Sequence, residues 1–127
     1  MFGLGAKKKI LVVDDEVDVL SIVKTRLEIN NYEVFTASNG DDGFNAAVAQ
    51  KPDLILLDVV MPVKTGFEVC QQLKDNSETA NIPVIFLTAK GRESDMMEGA
   101  RLGAVNYVIK PYDYKDLLAK IEKALKK

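Results

Sequence analysis

Histidine is absent from the chain, and cysteine occurs once, at position 70. The first absence excludes a histidine general base, histidine metal ligands and any phosphohistidine made on this chain. The second excludes an internal disulfide, and the place of Cys70 on an apolar helix face makes it an inert packed thiol. Long apolar runs are also missing. No stretch approaches the roughly 20 residues of a membrane-spanning helix, and the N-terminus lacks the apolar core of a signal peptide. Cytoplasmic residence without membrane insertion is therefore expected. Neither sign of charge dominates: 17 Lys and Arg stand against 19 Asp and Glu, for a formal net charge of −2. That balance offers no footprint for direct nucleic-acid binding. A Walker-type phosphate loop is lacking, and Gly3-Leu4-Gly5 neither follows a strand nor completes a dinucleotide-binding fingerprint.

What is present is the composition of one globular domain. With 127 residues, 47% of them hydrophobic, the chain can bury about two thirds of its unfolded surface without staples. Met1 to Ala6 is small and Gly-rich and runs into Lys7-Lys8-Lys9, so a flexible leader is expected over 1–8 and the domain over 9–127.

The apolar pattern predicts five strands alternating with five helices. Ile10–Val13, Leu54–Leu57, Val84–Thr88 and Ala104–Ile109 are continuous apolar runs, and Tyr32–Ser38 reads as a further strand. Val17, Leu20, Val23 and Leu27 recur at helical spacing, and that helix ends near Asn30-Asn31. Asn39-Gly40 reads as a turn, and a second helix carrying Phe44, Ala47 and Val48 stops before Lys51-Pro52. Phe67, Cys70 and Leu73 line a third helix. Arg92–Leu102 forms a weakly apolar fourth, and Leu117, Leu118, Ile121 and Leu125 mark a fifth. Unbroken apolar strands separated by helices require a parallel sheet covered on both faces, which is a three-layer α/β domain.

A parallel sheet presents all its strand C-termini on one edge, and in open α/β sheets ligands bind in the crevice beyond that edge. Asp58 follows Leu54-Ile55-Leu56-Leu57 and precedes a Met61-Pro62 turn, which makes it an exposed, rigidly held acid. Asp14 and Asp15 end the first strand, Thr88 the fourth and Lys110 the fifth. Clustered carboxylates repel, so either one stays protonated or a cation neutralises them. Oxygen-only ligands suit Mg²⁺ or Mn²⁺. Lys110 is a point charge suited to a phosphoryl oxygen, and Thr88 offers a hydroxyl. Each residue also has a plainer reading: Asp14, Asp15 and Asp58 as caps, Thr88 as a strand end, Lys110 as a solvated terminus.

Four stretches in order, Val12-Val13-Asp14-Asp15-Glu16, Leu57-Asp58-Val59-Val60-Met61-Pro62 with Gly66, Leu87-Thr88-Ala89, and Ala104-Val105-Asn106-Tyr107 followed by Lys110-Pro111, resemble the receiver domain of bacterial two-component response regulators. The likeness runs from about Lys8 onward. It implies a flavodoxin-like sheet of order 2-1-3-4-5 and a phosphorylation-dependent signalling switch. Asp58 would be the phosphoacceptor; Asp14, Asp15, Asp58 and the backbone carbonyl of Val60 would hold Mg²⁺. Lys110 and Thr88 would contact the phosphoryl group, with Lys110-Pro111 a cis peptide. Thr88 and Tyr107 would be the switch pair, repacking the face made by the fourth helix, fifth strand and fifth helix. The implied donor is a sensor histidine kinase or a histidine phosphotransfer protein. The implied reader is a downstream protein, with a phosphorylation-dependent homodimer as another form of output. Val60 and Lys90, which flank the path of an attacking water, are expected to set the lifetime of the phosphoryl group.

The resemblance makes the chain a phosphoacceptor that assists its own phosphotransfer and dephosphorylation, not a turnover enzyme. Three other functions compete with it. A Mg²⁺-dependent phosphatase with an aspartate nucleophile usually carries a second acid two residues on, where this chain has Val60. A structural receiver-like module without phosphorylation has no use for the intact acids and Lys110. A flavin or nucleotide binder of the same fold would offer Gly, Ser and Thr to phosphate in its first loop, and Asp14-Asp15-Glu16 stands there instead. Phe86, Tyr107, Tyr112 and Tyr114 bracket the expected output face, or belong to the core or ordinary surface.

Overall fold

The computed structural model describes residues 7–126, so residues 1–6 of the expected leader lie outside the described residues. In chain order the elements are β1 (Lys9–Val13), α1 (Val17–Ile29), β2 (Glu33–Ala37), α2 (Gly40–Gln50), β3 (Leu54–Leu57), α3 (Gly66–Lys74), β4 (Val84–Thr88), α4 (Glu93–Arg101), β5 (Asn106–Ile109) and α5 (Tyr114–Leu125). The strands form one sheet of order β2-β1-β3-β4-β5, every pairing parallel. This is the expected three-layer α/β architecture.

Alternation along each central strand builds two cores from one sequence run. Leu11 and Val13, Ile55 and Leu57, and Val84 and Phe86 face one side, where they meet Ala47 of α2 and Val69, Cys70 and Leu73 of α3. Ile10 and Val12, Leu54 and Leu56, and Ile85 and Leu87 face the other, against Leu20, Val23 and Leu27 of α1 and Leu117 and Ile121 of α5. A strand buried on both faces cannot afford a polar side chain, which is why these runs are continuous. The edge strands β2 and β5 are only partly covered, with exposed Glu33, Thr36 and Ile109.

Local chemistry sets the element ends and corrects several expectations. Val17 is 69% exposed: it opens α1 on the solvent side, and only Leu20, Val23 and Leu27 face the core. Asn39-Gly40 is a helix start and not a free turn, because the Asn39 side chain caps α2 by accepting from the Asp42 N–H at 2.8 Å. Val69 joins Cys70 and Leu73 inside α3, while Phe67 is only partly buried. β5 begins at Asn106, two residues later than its apolar run, after Gly103 turns the chain at φ 92°. Phe86 is fully buried and belongs to the core, not to an output face.

Candidate functional site

Three strand ends deliver charge to one crevice. Asp14 follows β1, Asp58 follows β3 and Lys110 follows β5. Backbone pairing fixes the two acids: the Asp14 N–H donates to Ala37 O at 3.1 Å, and the Asp58 N–H donates to Val13 O at 3.0 Å. Their carboxylates then meet the Lys110 ammonium, which donates to Asp14 Oδ2 at 2.8 Å and lies 3.5 Å from Asp58 Oδ2. The Lys110–Pro111 peptide is cis, as the resemblance implied.

The expectation of an exposed Asp58 is corrected: its relative exposure is 5%, and that of Asp14 is 2%. The cause lies in the loop after β3. It folds straight back over the strand end, with the Gly66 N–H donating to Val59 O at 2.8 Å. A Cβ at Gly66 would fall 2.0 Å from Asp58 O, so only glycine lets α3 start this close. The sequence carried this signal in Gly66, but the depth of the acid depends on where the loop lands.

Glu16 joins the cluster and Asp15 does not. Ligand oxygens of Asp14, Glu16 and Asp58 all lie within 4.8 Å of one another. The Glu16 N–H donates to Asp14 Oδ1 at 2.9 Å, and its carboxylate stands 3.8 Å from Lys110 Nζ. Asp15 is exposed. Glu16 was visible in the sequence as the third acid of its run, but strand alternation gave no reason to prefer it. Val60 is 57% exposed, and its N–H donates to Asp58 Oδ1 at 3.2 Å.

Thr88 and Tyr107 stand beside the cluster. Thr88 is fully buried; its hydroxyl accepts from the Lys90 N–H at 3.2 Å, and its carbonyl accepts from the Lys110 N–H at 2.8 Å. Tyr107 is half-buried, packs its ring 5.7 Å from that of Phe86, and donates its hydroxyl to the Lys90 carbonyl. Both residues therefore hold the backbone of the same residue, Lys90, one at its N–H and the other at its carbonyl.

The electrostatics show a site short of positive charge. Burial, and more weakly the neighbouring Asp58, holds the Asp14 carboxyl above its usual range despite bonds from Lys110 and the Glu16 N–H. Burial alone would lower the Lys110 ammonium, but the Asp14 hydrogen bond and the charges of Asp58, Asp14 and Glu16 outweigh it and raise the pKa. Burial, then Asp95 and Asp58, pushes the Tyr107 phenol up to about 12. Two buried carboxylates thus share one ammonium, which leaves uncompensated negative charge. The donors in reach are all oxygen, and Cys70 is buried in the core under α3 with its thiol pushed up by burial. Such a set fits a hard divalent cation.

Comparison with known proteins agrees with this geometry. The family model described as response regulator receiver domain matches residues 10–122. A probable transcriptional regulator, ycf27, of Cyanophora paradoxa is 45% identical over 121 residues, which is 95% of this chain and 49% of that protein. RpaA of Synechocystis sp., named a DNA-binding dual master transcriptional regulator, is 40% identical over 119 residues, 94% of this chain and 49% of that protein. The chain therefore spans about half the length of the curated relatives it matches. Among solved structures, the chemotaxis protein CheY4 of Vibrio cholerae superposes with a TM-score of 0.89 at 32% identity, covering 94% of this chain and 100% of that one. The expectation of no nucleic-acid partner gains no support from relatives named as transcriptional regulators. Among the described residues no helix is long and apolar enough to cross a membrane. On the match across 10–122 and on its sheet order, the chain belongs to the response regulator receiver domain family.

Proposed function

We propose that the domain is a signalling switch set by phosphorylation of Asp58. The observation that carries this reading is the Lys110 ammonium bridging Asp14 and Asp58, at 2.8 and 3.5 Å, in a crevice with excess negative charge. An anionic nucleophile attacks an anionic phosphoryl donor only where cations offset their repulsion. Asp14, Asp58 and the backbone carbonyl of Val60 would hold Mg²⁺ or Mn²⁺, with Glu16 close enough to take part; Asp15, exposed beside them, would have to turn inward to join. When bound, that ion supplies the neutralisation that one lysine leaves incomplete.

The donor is a phosphohistidine of a sensor kinase or phosphotransfer protein. Its N–P bond breaks as the P–O bond to Asp58 forms, and Lys110 and the Thr88 hydroxyl hold the phosphoryl oxygens. The Thr88 hydroxyl accepts from the Lys90 N–H and keeps its own proton for a phosphoryl oxygen, so a turn of Thr88 toward that oxygen pulls on Lys90, to which Tyr107 is also tied, and couples the two side chains. The result is an altered α4-β5-α5 face, read by a partner or by a second copy of the domain. Relatives twice as long are named transcriptional regulators, so transcriptional control in the cytoplasm is the output we favour. Val60 occupies the place where an aspartate phosphatase needs its second acid, which favours a phosphoacceptor over a turnover enzyme.

Incubation with Mg²⁺ and a small phosphodonor, followed by intact mass measurement, tests the reading. A metal-dependent phosphoryl adduct is expected on the wild type and not on Asp58→Asn. An unmodified wild type, or an adduct that survives Asp58→Asn, overturns it.

A further inference from the structure

The sheet edge opposite the phosphoacceptor carries a cleft of about 560 Å³ that the switch does not use. Lysines reach it from three directions: Lys8 ahead of β1, Lys74 at the end of α3, and Lys120 and Lys123 on α5. Among the described residues none of the four is ion-paired. Asp53 is the one acid in the lining, and its carboxylate already accepts from the Lys9 N–H at 2.8 Å. Lys74 is half-buried and held in place, with its ammonium donating to the carbonyls of Ala80 and Ile82 at 3.3 and 3.2 Å. An ammonium has three donors, so one remains free. Pro83, Val105 and Leu125 give the cleft apolar surface beside these charges.

Lysines near the end of α5 also suit the helix dipole. That accounts for Lys123, and the same effect at the end of α3 accounts for Lys74, which leaves Lys8 and Lys120 unexplained. In a chain of net charge −2, four lysines converging on one concavity against a single carboxylate make a local anion site. The volume lies in the range of small-molecule pockets, and lysine binds phosphate as a point charge. We infer that this cleft binds a small polyphosphate-bearing molecule, the phosphates between Lys74 and the α5 lysines and any apolar portion against Pro83, Val105 and Leu125. It lies across the sheet from the acidic crevice and requires no divalent ion.

Amide-resolved NMR titration of the chain with inorganic tripolyphosphate, in metal-free buffer, tests this. Saturable shifts are expected at Asn81, Val105, Asn106 and from Lys120 to Leu125. Each lost ammonium contact removes a charge-assisted bond, so Lys120→Gln and Lys123→Gln should each weaken binding by about tenfold. Lys115→Gln, exposed on α5 outside the cleft, should bind as the wild type does. Phosphoryl uptake by Asp58 in the two cleft variants reports that they are folded; if Lys120→Gln fails there, exposed Lys123→Gln decides. Absence of saturation, equal weakening by Lys115→Gln, shifts gathered at the acidic crevice, or binding of a short DNA duplex without tripolyphosphate would each overturn the inference.

Discussion

The two sides of the crevice are built differently. On the β1–β3 side, Asp14 and Asp58 extend from strands whose last residues, Val13 and Leu57, are buried at 1% and 0% exposure, with a helix layer on each face. On the α4–β5 side, α4 buries only Asp95 and Gly99 of its nine residues, and of β5 only Val108 is buried. Met96 and Met97 of α4 stand 40% and 66% exposed. The chemistry therefore sits on the rigid side and the candidate response on the lightly packed one. A few hydrogen bonds are a small fraction of what holds β3, but a large fraction of what holds α4. Local free energies of opening follow that difference in burial. A change confined to one site can therefore move α4 and β5 while the acids stay fixed.

Truncation on each side is the strongest way to break this contrast. Leu57→Ala should cost about 2–5 kcal/mol, the usual range for a fully buried leucine, whereas Met97→Ala should change stability by no more than about 0.5 kcal/mol. Urea unfolding of both variants decides it, and comparable losses would mean that α4 is as firmly packed as β3.

The next effect is smaller and reverses sign within the charged cluster where the two sides meet. Lys110→Gln leaves two buried carboxylates unpaired and should cost about 2 kcal/mol at neutral pH. Asp14→Asn leaves one carboxylate with one ammonium and should stabilise the metal-free protein by about 1 kcal/mol. Asp14 is held above its usual range by burial, so its ionisation opposes folding. Its favourable contribution is full below the ordinary carboxylate pKa and is lost as pH rises through the raised value. Acidification from neutral pH should therefore narrow the gap between wild type and Asp14→Asn. Added Mg²⁺ should reverse it, since a ligand at 100 times its Kd stabilises the wild type by about 2.7 kcal/mol, more than the gap itself. Unfolding midpoints with and without Mg²⁺ across this pH range check the sign; an Asp14→Asn protein less stable than the wild type in metal-free buffer would refute the charge imbalance.

The rigid side was also the more legible in sequence. Continuous apolar runs gave β1, β3 and β4, and parallel order placed Asp14, Asp58 and Lys110 at one edge without reference to side-chain detail. What the sequence could not give was depth. The burial of Asp58 depends on a loop closing against Gly66, and the entry of Glu16 in place of Asp15 depends on how the chain turns out of β1 into α1. The lightly packed side was read less well for the same physical reason that it is pliable. α4 lacks an apolar stripe, and β5 starts two residues late because an edge strand has a partner on one side only. Gly99 shows what replaces the missing stripe: a Cβ there would come 3.0 Å from the Tyr107 ring and 3.1 Å from Phe86, so α4 is seated by a close approach and not by bulk.

That seating makes Tyr107 the place for the finest test. Tyr107→Phe removes the hydroxyl that donates to the Lys90 carbonyl while keeping the ring against Phe86. The loss should be about 1 kcal/mol, the net worth of one such bond. Because Lys90 also donates to the Thr88 hydroxyl, the substitution should loosen the Lys90 backbone and free Thr88. The phenol adds a pH signature. Its folded pKa of about 12 lies above the ordinary value of 10.0, so its contribution is intact below 10.0 and is lost as pH rises towards 12. Wild type should thus lose stability over that alkaline interval faster than Tyr107→Phe does. The other tyrosines titrate in both proteins and cancel in the difference. Phenolate absorbance of wild type minus variant should titrate near 12 in the folded state. A difference titrating near 10.0 would mean that the ring is open to water and away from Asp95 and Asp58, and that the α4–β5 side is looser than its hydrogen bonds indicate.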